Sequence, residues 1–239
     1  GIINNDGRMV IGSFSNQAIV KNTGTLDIID WQMTNTGVIS NAVDITSYMM
    51  PVINIGSDMN NVGTINNPFG ANINMFGRLN TNSGTITNDG VVEIYSLDLV
   101  NTGVISGAGE FRGNLVITEA GTLAPGSLDA MMPGRDMIIN GDLDLNGTLA
   151  INTNPETFPF ITTPDPTNVN VYGFVTLGEN SVLDFSFPEL SYFTLGQTFD
   201  LMSAYGSSGS VGSFTDDAMF FDNTLALQWE ILQGYGIGD

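Results

Sequence analysis

A short phrase built on asparagine and glycine recurs through the first two-thirds of this chain and constrains its fold more than any other feature. Each copy consists of Asn, one or two small residues, Gly, then Thr or Val, and then an aliphatic residue. Because Asn and Gly tolerate positive φ angles, each phrase predicts a tight turn that leads into a short strand. The clearest copies occupy residues 22–26, 35–39, 61–65, 82–86, 88–92 and 101–105, with shorter echoes at 120–123 and 146–149.

The spacing of the glycines indicates a repeat. From Gly37 to Gly147 they recur in steps of 26, 21, 19, 18 and 26 residues. Strand-and-turn repeats of about 20–50 residues are typical of a solenoid, and a coil of this size accommodates two or three short strands. We therefore predict an all-β fold in which residues 1–154 form a parallel β-helix, or β-solenoid, with coils of roughly 20 residues. A sandwich with Asn-Gly hairpins is the alternative.

Alternating side chains support the solenoid. Leu143, Leu145, Leu149 and Ile151 alternate with polar or small residues, as expected when one face of a strand is buried. Coils stacked about 4.8 Å apart would also align the Asn residues of successive turns, so that their amides hydrogen-bond to neighbouring coils. We further expect Asn, Thr, Ser and Asp to carry the polar surface, because charged residues make up only 13% of the chain.

The composition changes after residue 154. Residues 155–168 hold four prolines, which cannot occupy a central strand, and are predicted to form a linker or loop. Residues 169–239 contain only three Asn but eight of the 14 Phe. Aromatic side chains bury large areas, so this part is predicted to be a C-terminal β cap or small β-sandwich that closes one end of the solenoid.

The charge and the missing residue types exclude several chemistries. The 239 residues include no Cys and no His, which rules out thiol nucleophiles, Ser-His-Asp triads and zinc fingers. With 25 acidic and five basic side chains the formal charge is −20, which opposes nucleic-acid binding. No apolar stretch reaches the roughly 18 residues needed to span a membrane. We interpret the negative charge as protection of an edge-rich β protein against aggregation.

The few cations are predicted to pair with carboxylates at turns or subunit contacts. Arg112 lies two residues after Glu110, and Arg135 directly precedes Asp136. The four arginines are otherwise scattered along the sequence, which argues against the basic set that polysaccharide lyase chemistry needs.

Several phrases from residue 104 onward resemble a known class of protein. They are residues 105–115, 120–126 and 139–145, together with 195–202 and 212–214. In these phrases the chain resembles secreted bacterial β-solenoid surface proteins, namely autotransporter passengers and extracellular proteins that carry a C-terminal sorting signal. The resemblance implies a right-handed parallel β-helix, a secreted or cell-surface location, and a role in adhesion or matrix. The phrases are turn signatures and do not identify a ligand.

Candidate residues for catalysis and metal binding are few. Asp142 and Asp144 lie two residues apart on one predicted strand, a spacing that a glycoside hydrolase could use. An alternating Asp-Leu-Asp-Leu strand is the ordinary pattern of a solvated face, so we assign no catalytic residue and expect no enzyme. Calcium is the one cofactor considered, with weak candidate ligands in the carboxylates of Asp216, Asp217 and Asp222.

The first residues of the chain lead to a functional hypothesis. Solenoid ends expose unpaired backbone groups, which proteins normally cover with a cap. This chain begins directly in repeat-like sequence, so we predict that its N-terminal end pairs with another subunit through Ile2, Ile3, Met9, Val10 and Ile11. The hypothesis is an extracellular structural protein that forms a homo-oligomer or head-to-tail homopolymer in a surface filament, sheath or matrix. The alternatives are an adhesin module that binds carbohydrate or another surface ligand, and a carbohydrate-active enzyme on a β-helix.

Overall fold

In a computed structural model of the chain, 27 of the 29 strands in the described residues belong to three long β-sheets. The described residues are 1–29, 32–43, 50–95, 97–126, 136–152, 167–186, 201–205, 210–211, 221–222 and 227–228. They contain strands and turns and no helix, so no helix in this part of the chain could cross a membrane. Each of the three sheets, which we name A, B and C, has nine strands.

The strands are short, and successive strands of the chain belong to sheets A, B and C in turn. Sheet A contains β1 (Ile2–Asn5), β4 (Ile19–Asn22), β7 (Val38–Asn41), β10 (Thr64–Asn67), β13 (Thr85–Asn88), β16 (Val104–Gly107), β19 (Thr122–Pro125), β22 (Thr148–Asn152) and β25 (Val182–Ser186). Sheet B contains β2 (Arg8–Ile11), β5 (Thr25–Ile28), β8 (Val52–Ile55), β11 (Asn72–Met75), β14 (Val91–Ile94), β17 (Glu110–Arg112), β20 (Met137–Asn140), β23 (Val169–Val171) and β26 (Met202–Ala204). Sheet C contains β3 (Phe14–Asn16), β6 (Gln32–Asn35), β9 (Asp58–Asn61), β12 (Asn80–Asn82), β15 (Leu99–Asn101), β18 (Leu115–Ile117), β21 (Leu143–Leu145), β24 (Val175–Leu177) and β27 (Ser210–Val211). A separate antiparallel pair joins β28 (Phe221–Asp222) and β29 (Leu227–Gln228).

Each run of three strands forms one coil, and the coils stack with parallel pairing in every sheet. This topology confirms the predicted parallel β-helix and excludes the sandwich. We number the coils from the N-terminus, and coils 1 to 9 span residues 2–16, 19–35, 38–61, 64–82, 85–101, 104–117, 122–145, 148–177 and 182–211.

The core runs through the centre of the stack as columns of inward side chains. Along each strand inward residues alternate with outward ones, so that Ile53 and Ile55 are buried while Asn54 is partly exposed. Leu143, Leu145, Leu149 and Ile151 are all buried, which confirms the alternation predicted for them. Phe111 of coil 6 has the largest fully buried side chain among the described residues.

The uneven repeat length arises at one corner of the coil. The connections from sheet C to sheet A contain two to four residues throughout the stack. The connections from sheet A to sheet B contain two residues between β4 and β5 but become long in four coils, where they span residues 42–51, 126–136, 153–168 and 187–201. Insertions are therefore accommodated at this corner without disturbing the stacked strands.

The predicted domain boundary at residue 154 requires a correction. Strands β23 to β27, between residues 169 and 211, extend the same three sheets as the strands before them. The proline-containing segment 155–168 falls inside coil 8, between β22 and β23, and does not separate two domains. Residues 169–211 thus contribute to coils 8 and 9, and a cap formed by the remaining residues stays a prediction.

The glycines of the repeated phrase are required for a different reason from the one predicted. None of Gly37, Gly63, Gly84 and Gly103 has a positive φ angle. Instead, a Cβ atom on Gly84 would lie 2.1 Å from the carbonyl oxygen of Gly63 in the preceding coil, and the other three meet the same obstruction. Glycine is needed because the backbones of successive coils approach each other at this corner.

Replacing Gly84 tests this close approach. We expect Gly84→Ala to lower the free energy of unfolding by at least about 2 kcal/mol, because backbone atoms of the neighbouring coil would have to move. Gly12→Ala is the matched control, since its Cβ would meet no atom within 4 Å, and we expect a change below about 1 kcal/mol. Urea denaturation of both variants measures the difference, and equal destabilisation would contradict the explanation.

Candidate functional site

Two columns of asparagine run through the first five coils and are buried. One column lies at the ends of the sheet A strands and the other at the ends of the sheet C strands. Within each column the side-chain amides of successive coils are 2.6–3.0 Å apart, so the columns form hydrogen-bonded ladders. The members are Asn5, Asn22, Asn41, Asn67 and Asn88 in the first ladder and Asn16, Asn35, Asn61, Asn82 and Asn101 in the second.

The side-chain hydrogen bonds of both ladders run in the same direction along the stack. Except in the last member of each ladder, every Nδ2 donates to the Oδ1 of the next coil toward the C-terminus, as Asn61 does to Asn82 at 2.6 Å. The Asn61 amide also faces two backbone carbonyls, those of Gly63 and Thr85, each at 3.2 Å. The ladders therefore satisfy the buried side-chain amides and give the turn carbonyls, such as that of Gly63, a second donor beside the backbone N–H of the next coil.

The predicted stacking of the Asn amides is confirmed, but their predicted place on the surface is wrong for the ladder residues. Asn61 and Asn82, for example, are fully buried. A buried amide costs free energy unless it is hydrogen-bonded, and the partner here is supplied by the next coil. In sheet C the column continues beyond Asn101 with apolar residues, Ile117 and Leu145. Coils 1–5 are thus joined by amides as well as by apolar contacts.

A single-atom change tests the ladder. In Asn61→Asp the donating NH₂ becomes an oxygen that faces three other oxygens, so we expect a loss of about 3 kcal/mol or more at pH 7. Burial should raise the pKa of this carboxyl in the folded state above its value of about 3.9 in the unfolded chain. Because the folded form then binds the extra proton, the stability of the variant should fall as pH rises above about 4.

The control lies next to it on the same strand. Asn60 points outward from β9, so Asn60→Asp adds the same charge at a site that water reaches. We expect a change below about 1 kcal/mol with little pH dependence. Urea titrations of both variants from pH 4 to pH 7 provide the measurement, and a pH-independent Asn61→Asp would argue against a buried ladder.

The outward face of sheet B carries paired charges and amides. Arg8 donates to Asp27 at 2.9 Å, Asn54 donates to the other Asp27 oxygen at 2.7 Å, and Asn74 continues the row to Asn54 at 2.8 Å. The Asn54 amide, followed by the Arg8 guanidinium, holds the pKa of Asp27 below its usual value despite the opposing effect of burial. This row ties coils 1 to 4 together on the outside.

A second cluster on the same face is centred on Arg112. Its guanidinium contacts Glu93 at 2.6 Å and Glu110 at 2.8 Å. Tyr95 donates to Glu93, and this bond and Arg112 lower the Glu93 pKa, whereas the same carboxylate raises the Tyr95 pKa. Arg112 is also the main cause of the lowered pKa of Glu110. The cluster links coils 5 and 6, but its side chains are partly exposed to water, so its ion pairs contribute little to the free energy of unfolding.

The predicted ion pair between Arg112 and Glu110 is confirmed, whereas the Glu93 partner was not predicted. Glu93 precedes Arg112 by 19 residues, which is one coil, so the coil length is the signal that would have revealed it. Arg135 lies outside the described residues. Asp136 accepts hydrogen bonds from the Asn168 backbone and the Asn170 amide, and its predicted pairing with Arg135 stays a prediction.

Two pairs of exposed aromatic rings stack along the solenoid. Phe76 and Tyr95 of adjacent coils have centroids 4.6 Å apart and planes within 7° of parallel. Tyr172 and Tyr205, the first residues after the sheet B strands of coils 8 and 9, have centroids 5.1 Å apart. Tyr205 also donates to the Asn170 amide oxygen at 3.3 Å. These rings and the neighbouring amides form a surface of the kind that carbohydrate can contact.

The residues considered for chemistry do not come together as a set. Asp142 and Asp144 are both exposed, and an Asp142 oxygen accepts the backbone N–H of Phe174 at 2.9 Å, a structural role. Among the described residues no group of three or more acidic side chains is close enough to hold a metal ion. Asp216 and Asp217 lie outside these residues, and only the backbone of Asp222, in β28, is described.

The residues predicted for assembly lie together at one end of the stack. Strands β1, β2 and β3 are the edge strands of their sheets, with coil 2 on one side only. Within them Ile2, Ile3 and Val10 are exposed, and Met9 and Ile11 are half-buried and pack on the core. This edge, which we call the first-coil edge, combines apolar side chains with backbone groups that have pairing partners on one side.

These features place the chain in a structural class. Three parallel sheets wound by successive coils make the chain a parallel β-helix, stabilised in its first half by buried amide ladders. No protein-family model, no curated protein and no solved structure matches the chain. The resemblance to secreted bacterial surface solenoids therefore stays a prediction.

Proposed function

We propose that this chain is an extracellular structural protein, a self-associating β-solenoid subunit of a surface filament, sheath or matrix. The observation that carries the proposal is the regular stack itself, in which three parallel sheets enclose one apolar core from coil to coil. The continuous stack supports it, because nine coils about 4.8 Å apart form a rod of about 40 Å held by pairing in three sheets. Repeating coils of this kind provide shape and rigidity.

The exposure of equivalent residues shows what the first-coil edge offers. Ile3 is 41% exposed, whereas Val20 and Ile39, which follow it in the same inward column, are 0% and 1% exposed. A second copy docked on this edge would bury the apolar column and extend the sheets.

A pair of variants separates edge docking from general surface effects. We expect Ile3→Lys to abolish end-to-end association of the 239-residue chain, because it places a charge in the column that docking would bury. Ile2→Lys makes the same chemical change on the adjacent outward position, and we expect it to leave association intact. Sedimentation velocity and electron microscopy at rising protein concentration provide the readout. A strictly monomeric parent, or equal assembly of both variants, would overturn the proposal.

A second candidate function is an adhesin module that binds carbohydrate, favoured by the exposed Tyr172–Tyr205 stack. The rings lie beside the Asn170 amide, so apolar stacking and hydrogen bonding are available at one place. The two tyrosines occupy equivalent outward positions in coils 8 and 9, which presents them as one continuous strip.

Glycan binding tests this candidate directly. If the strip binds sugar, Tyr205→Ala should weaken binding of the glycan that the parent chain binds on a glycan array at least about tenfold, as expected for an aromatic anchor. Phe174→Ala removes an exposed aromatic ring of coil 8 outside the stack and should have little effect. A glycan array on which the parent chain binds nothing, or equal losses in the two variants, would dismiss the candidate.

A further inference from the structure

The outward face of sheet A differs from the rest of this acidic molecule because it has no charged side chain over six consecutive coils. Each strand presents two outward positions, its first and third residues, so the face consists of two columns. In coils 3 to 8 the column of first positions consists of Val38, Thr64, Thr85, Val104, Thr122 and Thr148. The column of third positions consists of Ser40, Asn66, Thr87, Ser106, Ala124 and Ala150.

The columns are regular and rich in small apolar groups. The first column holds only β-branched residues, from Ile2 through to Val182 of coil 9, so it presents methyl groups at every coil. The strands pair in register, which repeats these groups about every 4.8 Å along the stack. Sheet B, in contrast, carries Arg8, Asp27 and Glu93 on its outward face.

The only charges at the third positions of sheet A are opposite in sign and mark the two ends of the uncharged region. Lys21, the single lysine of the chain, occupies the third position in coil 2. Asp184 occupies the same position in coil 9, and both side chains are exposed. A second copy turned end over end about a two-fold axis parallel to the strands, between coils 5 and 6, would place coil 2 opposite coil 9.

We propose that the sheet A face binds a second copy of this chain in that antiparallel arrangement, with Lys21 of each copy against Asp184 of the other. The two-fold axis also places Asn66 opposite the small Ala124, and Thr85 opposite Val104. Both the charges and the side-chain sizes are therefore complementary under one operation. The proposal adds a lateral contact to the proposed self-association and does not require the first-coil edge.

The area of the sheet A face determines how tightly the two copies are expected to bind each other. Eight coils of four-residue strands cover about 500 Å² per copy, or about 1,000 Å² in total, which is near the lower limit for a specific interface. The formal charge of −20 on each copy opposes the approach, although an uncharged contact face keeps the nearest charges apart. We therefore expect a weak, reversible dimer that forms at high protein concentration.

A charge exchange tests the orientation. Lys21→Glu and Asp184→Lys should each weaken the homodimer at least about tenfold, since each places like charges together twice. An equimolar mixture of the two variants should restore dimers, because opposite charges then face each other at both ends. The glutamate introduced at position 21 of one variant meets the lysine introduced at position 184 of the other, and the unchanged Asp184 and Lys21 meet across the same axis.

Sedimentation equilibrium measures the dimer, and circular dichroism confirms that both variants fold. Making the measurements also in the Ile3→Lys background separates this lateral contact from the first-coil edge. In that background the lateral dimer should persist even though end-to-end association is lost.

A second pair of variants tests the face itself. Thr85→Glu adds a charge beside the two-fold axis and should abolish the dimer, whereas Thr34→Glu adds it to the outward face of sheet C and should not. A parent chain that stays monomeric at millimolar concentration, or a mixture of variants that does not restore dimers, would overturn the proposal. Loss of the dimer in Thr85→Glu without any effect of the charge exchange would overturn the antiparallel arrangement.

Discussion

The buried asparagine amide is the constraint on which the first half of this structure depends. A primary amide in an apolar interior needs partners for its donors and its acceptor, and a single coil cannot provide them all. Here the Asn61 amide accepts a hydrogen bond from Asn35 and donates one to Asn82, so each coil supplies hydrogen-bond partners to the coils on both sides. A shift of one residue in a sheet A or sheet C strand that carries a ladder asparagine would turn that amide outward and break its bonds to both neighbours, and the ladders therefore specify the register of these strands.

Seven of the ten ladder asparagines, all except Asn16, Asn41 and Asn67, are followed two residues later by a glycine, and this glycine follows from the same requirement. The amide can span successive coils at 2.6–3.0 Å only if the turn backbones stack closely, and that stacking leaves no room for a Cβ at Gly63 or Gly84. The repeated Asn-x-Gly phrase thus combines a polar bond inside the coil with close backbone contact at its corner. At the sheet A to sheet B corner long insertions replace the phrase in several coils, and the strands on either side still pair in register.

The sequence was sufficient to predict the coil and its inward side chains, because the Asn-Gly spacing and the alternation at Leu143 to Ile151 are local patterns. Features that depend on contacts between coils were predicted less well. Asn61 was expected at the surface because its partner Asn82 is 21 residues away, and the Arg112 bond to Glu93 spans 19 residues. The prolines of 155–168 resemble a domain linker in composition. The pairing of Thr148 with Val182, 34 residues later, shows that they interrupt one coil.

The charge of the molecule affects its two modes of association differently. End-to-end stacking brings only the terminal coils of two rods together and leaves most of their charges farther apart than the Debye length of about 8 Å at physiological ionic strength, so most of the repulsion between −20 subunits is screened. Side-by-side contact between sheets brings the backbones to about 10 Å, where screening is incomplete. Lateral contact is therefore tolerated only on a face whose own side chains are uncharged. On sheet B the cations Arg8 and Arg112 are already paired with carboxylates, which leaves the outward face of sheet A as the described face best suited to contact another copy.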